Sequence, residues 1–261
     1  MKFSRLLCLF LGLAGMIRVE ANPALAGRQS LVIEQTVPPY FPPDLLAEGF
    51  PEGLARIQVV VSAQGELLDW LIVGYTHRRF ADEAVKAIRR WKFQPARVNG
   101  QPVLAHREIS VSFATTGTAV SFNNNDYMES YVNQISNKAA RWPCTLKELD
   151  RIPTPLQAPA PVYARELAAR GVQGVVVVDF FIDETGAVRL PAVAATEVTR
   201  KAGMPSAGAS GSPDVQADDE SRFGELALTA IEQWKFEPPT RKGKPVLLKA
   251  RQTFRFGPGK S

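Results

Sequence analysis

The feature that most constrains this chain is an internal duplication. The segment RRWKFQPARVNGQPVLAHREISVSF, ending at Phe113, matches EQWKFEPPTRKGKPVLLKARQTFRF, ending at Phe256, without a gap. Trp91, Phe93, Pro95, Gly100, Pro102, Val103 and Phe113 align with Trp234, Phe236, Pro238, Gly243, Pro245, Val246 and Phe256, each 143 positions later. Upstream, Gly53 and Gly65 align with Gly174 and Gly186 at an offset of 121, so the second copy carries 22 more residues, the difference between 143 and 121. A chain that repeats one pattern over most of its length is expected to fold as two small units. The extra residues fall at 199–221, TRKAGMPSAGASGSPDVQADDES, and their Gly, Ser, Ala and Pro content predicts a mobile surface loop.

Periodicity gives each copy the same elements. Ile57, Val59 and Val61, matched by Val178, Phe180 and Ile182, alternate at strand spacing. A turn at Ala63-Gln64-Gly65 or Glu184-Thr185-Gly186 leads to a second strand, 67–73 or 187–193, closing a hairpin. A helix follows, because Phe80, Ala84, Ala87, Ile88 and Trp91 share one helical face, as do Phe223, Ala227, Ala230, Ile231 and Trp234. Pro95 and Pro238 end helical continuation, and turns at Asn99-Gly100 and Lys242-Gly243 precede a last strand. In that strand Val246, Leu248, Ala250, Phe254 and Phe256 face one way and Lys249, Arg251, Thr253 and Arg255 the other; Val103, Ala105, Ile109, Val111 and Phe113 repeat the pattern. The expectation is α+β: two tandem modules, each a three-stranded antiparallel sheet with one face on helices and one in water.

The spaced signals together, Gly-x-Val-x-Val-x-Phe, a Gly turn, an Ala-rich helix and Trp-Lys-Phe-x-Pro, resemble the TonB C-terminal domain family in both copies. The resemblance covers residues 31–113 and 146–256. It implies two helices on a three-stranded antiparallel sheet whose last strand adds a strand from a partner's extended peptide, the mode called β-augmentation. Copy one has Tyr40-Phe41-Pro42-Pro43 before its first helix, whereas copy two has Tyr163-Ala164 where the family pattern is Tyr-Pro. The long Pro-rich spacer of an energy-transducing TonB has no counterpart here.

At the start, Lys2 and Arg5 precede an apolar run at 6–17, and Ala24-Leu25-Ala26 offers a small-x-small cleavage pattern, so 1–26 reads as a secretory signal. The run is shorter than the roughly 17–25 residues that span a bilayer. Export to the periplasm is expected, with inner-membrane anchoring if the signal is retained. Cleavage removes two net positive charges from the chain's +5, and the remaining basic residues are not clustered with aromatics, which argues against nucleic acid. Only Cys144 survives cleavage, so no intramolecular disulfide forms, and the thiol is expected to be buried. Residues 27–113 form the first module and 114–145 a polar linker with one short helix expected at 126–138. Residues 146–256 form the second module, and 257–261 a tail.

No enzyme constellation emerges. His77 and His106 have no counterparts in copy two and read as surface histidines; no cofactor, metal or small-molecule substrate is expected. Asp82-Glu83 and Asp218-Asp219-Glu220 read as helix-start charges, and Trp91 and Trp234 as core. Function is expected along the last strands, through Arg107, Ile109 and Val111 in copy one and Lys249, Arg251, Thr253 and Arg255 in copy two. The expected role is non-enzymatic binding of an envelope or outer-membrane protein segment, linked to TonB-type transport. Self-assembly through the same edges, as a homo-oligomer, is the alternative; a cell-wall enzyme is a further one.

Overall fold

The computed structural model describes residues 27–121, 141–200 and 213–257; the expected signal at 1–26 and the expected linker helix at 126–138 lie outside them. The first half runs β1 (Arg28–Gln29), β2 (Val32–Gln35), α1 (Pro43–Ala47), β3 (Glu52–Val61), β4 (Leu67–Tyr75), α2 (Arg78–Ile88), β5 (Lys92–Gln94), β6 (Ala96–Val98), β7 (Gln101–Val103), β8 (Ala105–Ala114) and β9 (Gly117–Ser121). The second runs β10 (Pro155–Gln157), α3 (Arg165–Ala169), β11 (Val172–Ile182), β12 (Val188–Arg200), α4 (Pro213–Ile231), β13 (Lys235–Phe236), β14 (Thr240–Arg241), β15 (Lys244–Pro245) and β16 (Leu248–Phe256). The fold is α+β, and every pairing between these strands is antiparallel.

The main sheets are ordered β4-β3-β8-β9 and β12-β11-β16. Alternation puts Ile57, Val59, Val61, Ile109 and Val111 on the face that meets Phe80, Ala84 and Ile88 of α2. Val176, Val178, Phe180, Phe254 and Phe256 meet Phe223, Ala227 and Ile231 of α4 in the same way. Small residues admit large rings: Phe80 lies against Gly53 and Phe223 against Gly174. Each ring then packs on the last strand, Phe80 on Phe113 at 4.8 Å and Phe223 on Phe256 at 4.9 Å between centroids. The hairpin turns are closed by equivalent acceptors. Ser62 Oγ receives the N–H groups of Gln64 and Glu66, and Asp183 Oδ1 those of Thr185 and Ala187.

The Trp-Lys-Phe signature is placed differently from its expected position on the helix. Trp91 and Trp234 follow the last helical residues, Ile88 and Ile231, and their N–H groups bond back to Ile88 and Ile231 carbonyls at 3.0 Å. Each indole N–H donates to a carbonyl of the segment before the first helix, Val37 at 2.8 Å and Pro159 at 3.0 Å, which meets the polar need of a ring otherwise packed on apolar neighbours. The residues after each Trp form β5 and β13, paired with β2 and β10. Copy two also supplies a substitute for the missing Tyr-Pro. Tyr163, two residues before α3, stacks over Phe223 at 6.3 Å, where Phe41, two before α1, sits edge-on to Phe80 at 5.7 Å; its hydroxyl donates to the Val172 carbonyl at 2.5 Å.

Several expectations are corrected. The loop expected at 199–221 is corrected at both ends, since Thr199 and Arg200 end β12 and helix α4 begins at Pro213; 201–212 lie outside the described residues. Proline fits a first helical turn, and the following Asp-Val-Gln-Ala-Asp run lacks glycine and can continue the helix. Asp219 is no helix-start charge: it is buried within α4 and ion-paired with Arg170. Asp82 and Glu83 pair along α2 with Arg78 and Lys86. His77 caps α2 by accepting the Arg79 N–H at 3.3 Å. His106 is half-buried, and burial lowers its pKa below the usual histidine value.

The expectation of a solvated outer face also fails. Leu71 and Val73 on the outer face of β4 pack against Phe181 and Leu247 of the second half. Beside them Arg189 reaches Asp69 at 3.1 Å, and Arg141 reaches Glu184 at 3.2 Å. Adjacent Phe180 and Phe181 must point to opposite faces of β11, and both are buried because both faces are covered there.

Candidate functional site

The last strand of each main sheet was expected to offer an edge, but the two differ. In the first half β9, from the segment expected to be a polar linker with a short helix further on, turns back and pairs with β8 from Ser110↔Ser121 to Ala114↔Gly117. The edge beyond Val111 is thereby filled by the chain itself. Val120 and Thr118 have the β-branched side chains that favour a strand, and Gly117, at φ +147, permits the sharp return. Periodicity alone missed β9 because it is only five residues long and its polar residues, Thr118 and Ser121, do not alternate.

In the second half no strand lies beyond β16 among the described residues. Its ladder to β11 runs unbroken from Gly174↔Phe256 to Ile182↔Leu248. The other outer strands are less regular: pairing of β4 with β3 shifts register twice, as does β12 with β11, and Leu190 of β12 has φ +48. Such bulges twist an edge and blunt it against pairing. β16 has none.

The backbone direction of β16 follows from its contact with the linker. Cys144 donates its N–H to the Leu247 carbonyl at 2.8 Å, and the Lys249 N–H donates to the Cys144 carbonyl at 3.3 Å. Lys249 thus directs its backbone groups away from β11, and by strand alternation so do Arg251, Thr253 and Arg255. Those four predicted residues are exposed. Arg251 holds Asp179 through two bonds, Nε–Oδ1 at 2.5 Å and Nη2–Oδ2 at 2.9 Å. The Arg251 hydrogen bond, helped by its charge and that of Lys249, keeps the Asp179 carboxyl below the usual range.

The copy-one residues are placed otherwise. Ile109 and Val111 are fully buried beneath α2, so their side chains serve the core. Arg107 is half-buried on β8, opposite Val59. The expected site therefore divides into an edge of β8 that β9 covers from Ser110 to Ala114 and an open one at β16. Cys144 is buried, as expected, with Arg241 Nη1 at 3.5 Å from its Sγ. Among the described residues no cluster of His, Cys, Asp and Glu could hold a metal, and no helix is long and apolar enough to cross a membrane.

Residues 37–115 match the family described as Gram-negative bacterial TonB protein C-terminal. The match runs from the segment before α1 through β8 and stops short of β9. This stretch is TonB-like, and the similarity supports a place for the chain among envelope proteins. No curated protein matches the chain.

Proposed function

We propose that the chain is an exported, non-enzymatic, TonB-like protein of the cell envelope, made of two copies of one module. It binds an extended segment of a partner protein by strand addition to the open edge of β16. The observation that carries this reading is the regular row of outward backbone groups at Arg251, Thr253 and Arg255, free of any neighbouring strand and engaged only where the Gln252 side-chain amide donates to the Thr253 carbonyl at 2.9 Å, set against the edge of β8 that β9 covers from Ser110 to Ala114. The TonB-like character of 37–115 supports it, as do the Trp, Gly and Phe placements common to both halves.

Three residues offer six outward backbone groups, and the Thr253 carbonyl already accepts from the Gln252 side chain, which leaves five. At a net ~1 kcal/mol each, these barely offset an association cost of roughly 4–15 kcal/mol. Backbone pairing alone therefore gives weak, reversible binding, and affinity must come from side chains opposite the strand. Exposed Lys249 and Arg255 disfavour a basic partner and favour an acidic one. Thr253→Pro provides a clean test, because it deletes an outward N–H while leaving the bonds to β11 intact. Pulldown of an envelope protein by the intact chain should be lost in Thr253→Pro and persist in Val120→Pro, which disrupts only β9. Retention by the Thr253 variant would refute the reading.

A further inference from the structure

The two halves enclose a cleft of about 570 Å³, inside the roughly 300–1,000 Å³ range of small-ligand sites. One wall is the outer face of β4, with Leu71 and Val73; Trp142 of the linker forms another, and the β14–β15 hairpin with Lys242 and Lys244 faces them. The walls are built rather than incidental. Tyr75 and Arg141 exchange backbone hydrogen bonds of 2.9 Å each way, tying the linker to β4. Trp142 lies over Gly74, where any side chain would collide with the indole, and receives the Arg56 guanidinium 5.3 Å from its ring centre. The Asp150 carboxylate accepts the N–H groups of Lys242 and Gly243 at 2.6 and 2.8 Å. Those bonds hold Asp150 below the usual carboxyl range, so the hairpin turn stays clamped at neutral pH.

Charge indicates what the cleft accepts. Five cationic side chains line it against a single carboxylate, Glu184. The three arginines among them are already answered: Arg78 by Asp82 at 2.9 Å, Arg141 by Glu184 at 3.2 Å and Arg241 by Glu148 at 3.2 Å. Lys242 and Lys244 have no carboxylate partner among the described residues. Phosphate sites typically use a nest of backbone N–H groups, and here those of Lys242 and Gly243 are consumed by Asp150. The remaining donors are two point charges beside an aromatic wall.

We propose that this cleft binds a short organic anion, a carboxylate held by Lys242 and Lys244 with an apolar body against Leu71 and Trp142. The site is separate from the β16 edge, and its occupancy does not depend on strand addition. Calorimetric titration of the full chain with the dipeptide acetyl-Phe-Glu should show saturable binding that weakens as salt is raised. Inorganic phosphate should bind far less well. Lys242→Glu with Lys244→Glu should weaken the dipeptide about tenfold, whereas arginine at both positions should retain it; unchanged thermal melting shows that the variants fold. Absence of dipeptide binding, indifference to salt, equal binding by the charge-reversed variant, or phosphate binding as tightly as the dipeptide would each overturn the proposal.

Discussion

At the scale of single residues, the repeated glycines explain more than the repeated tryptophans. Gly65 and Gly186 both have φ +85, and a Cβ at either would collide with the carbonyl oxygen of the signature phenylalanine, Phe93 or Phe236. Each hairpin turn is thereby seated on the strand that follows the Trp, and the Gly186 carbonyl in turn accepts the Phe236 N–H at 2.9 Å. Gly243 also has positive φ, at +72, yet its missing Cβ faces open space. Gly243→Ala should therefore cost only the backbone term, about 1 kcal/mol, and Gly186→Ala at least about twice that. Equal losses in urea unfolding would show that the carbonyl contact is unimportant. The alignment of these glycines was visible in the sequence, but their reason was not, since the carbonyl they meet lies about 30–50 residues downstream in each copy.

At the scale of elements, the main strands and the buried faces of both helices were legible because alternation and helical spacing are strong where one face is apolar. What escaped was short or displaced: β9, the helical start of α4, and the small pairings of β2 with β5 and β10 with β13. Two- to five-residue strands leave too few positions to display a period. On β16 the sequence marked Lys249, Arg251 and Arg255 as an exposed cationic row, but not that Arg251 is engaged by Asp179 across the ladder. That pair has a pH signature. Because Asp179 titrates below its ordinary value when folded, its contribution is present above about pH 4 and is lost as pH falls through the folded value. Glu148, lowered by the Thr145 backbone N–H, and Asp150 act with the same sign. Stability measured against pH should decline on acidification, and Arg251→Gln should flatten part of that decline; an identical acid limb would separate Asp179 from the effect.

At the scale of the molecule, the docking of the halves was not legible, because each outer sheet face read as solvated. The adjacent phenylalanines 180 and 181 were the available signal, for two neighbouring strand residues are buried together only when both faces are covered. Phe181 joins Leu71, Val73 and Leu247 in that contact, so Phe181→Glu should separate the halves without melting either core. Small-angle scattering should report a larger radius of gyration and calorimetry two resolved transitions. An unchanged radius and a single transition would contradict the docking. With β4 and β12 irregular and β8 covered by β9 from Ser110 to Ala114, β16 presents the longest regular open edge among the described residues, and that edge is the centre of the account. It is tested most directly by placing a photo-crosslinking residue at position 255 in cells and identifying the product by mass spectrometry. The account predicts a crosslink to an extended, acidic segment of an envelope protein, abolished by Thr253→Pro in the same chain; a crosslink that survives Thr253→Pro, or none at position 255, would contradict it.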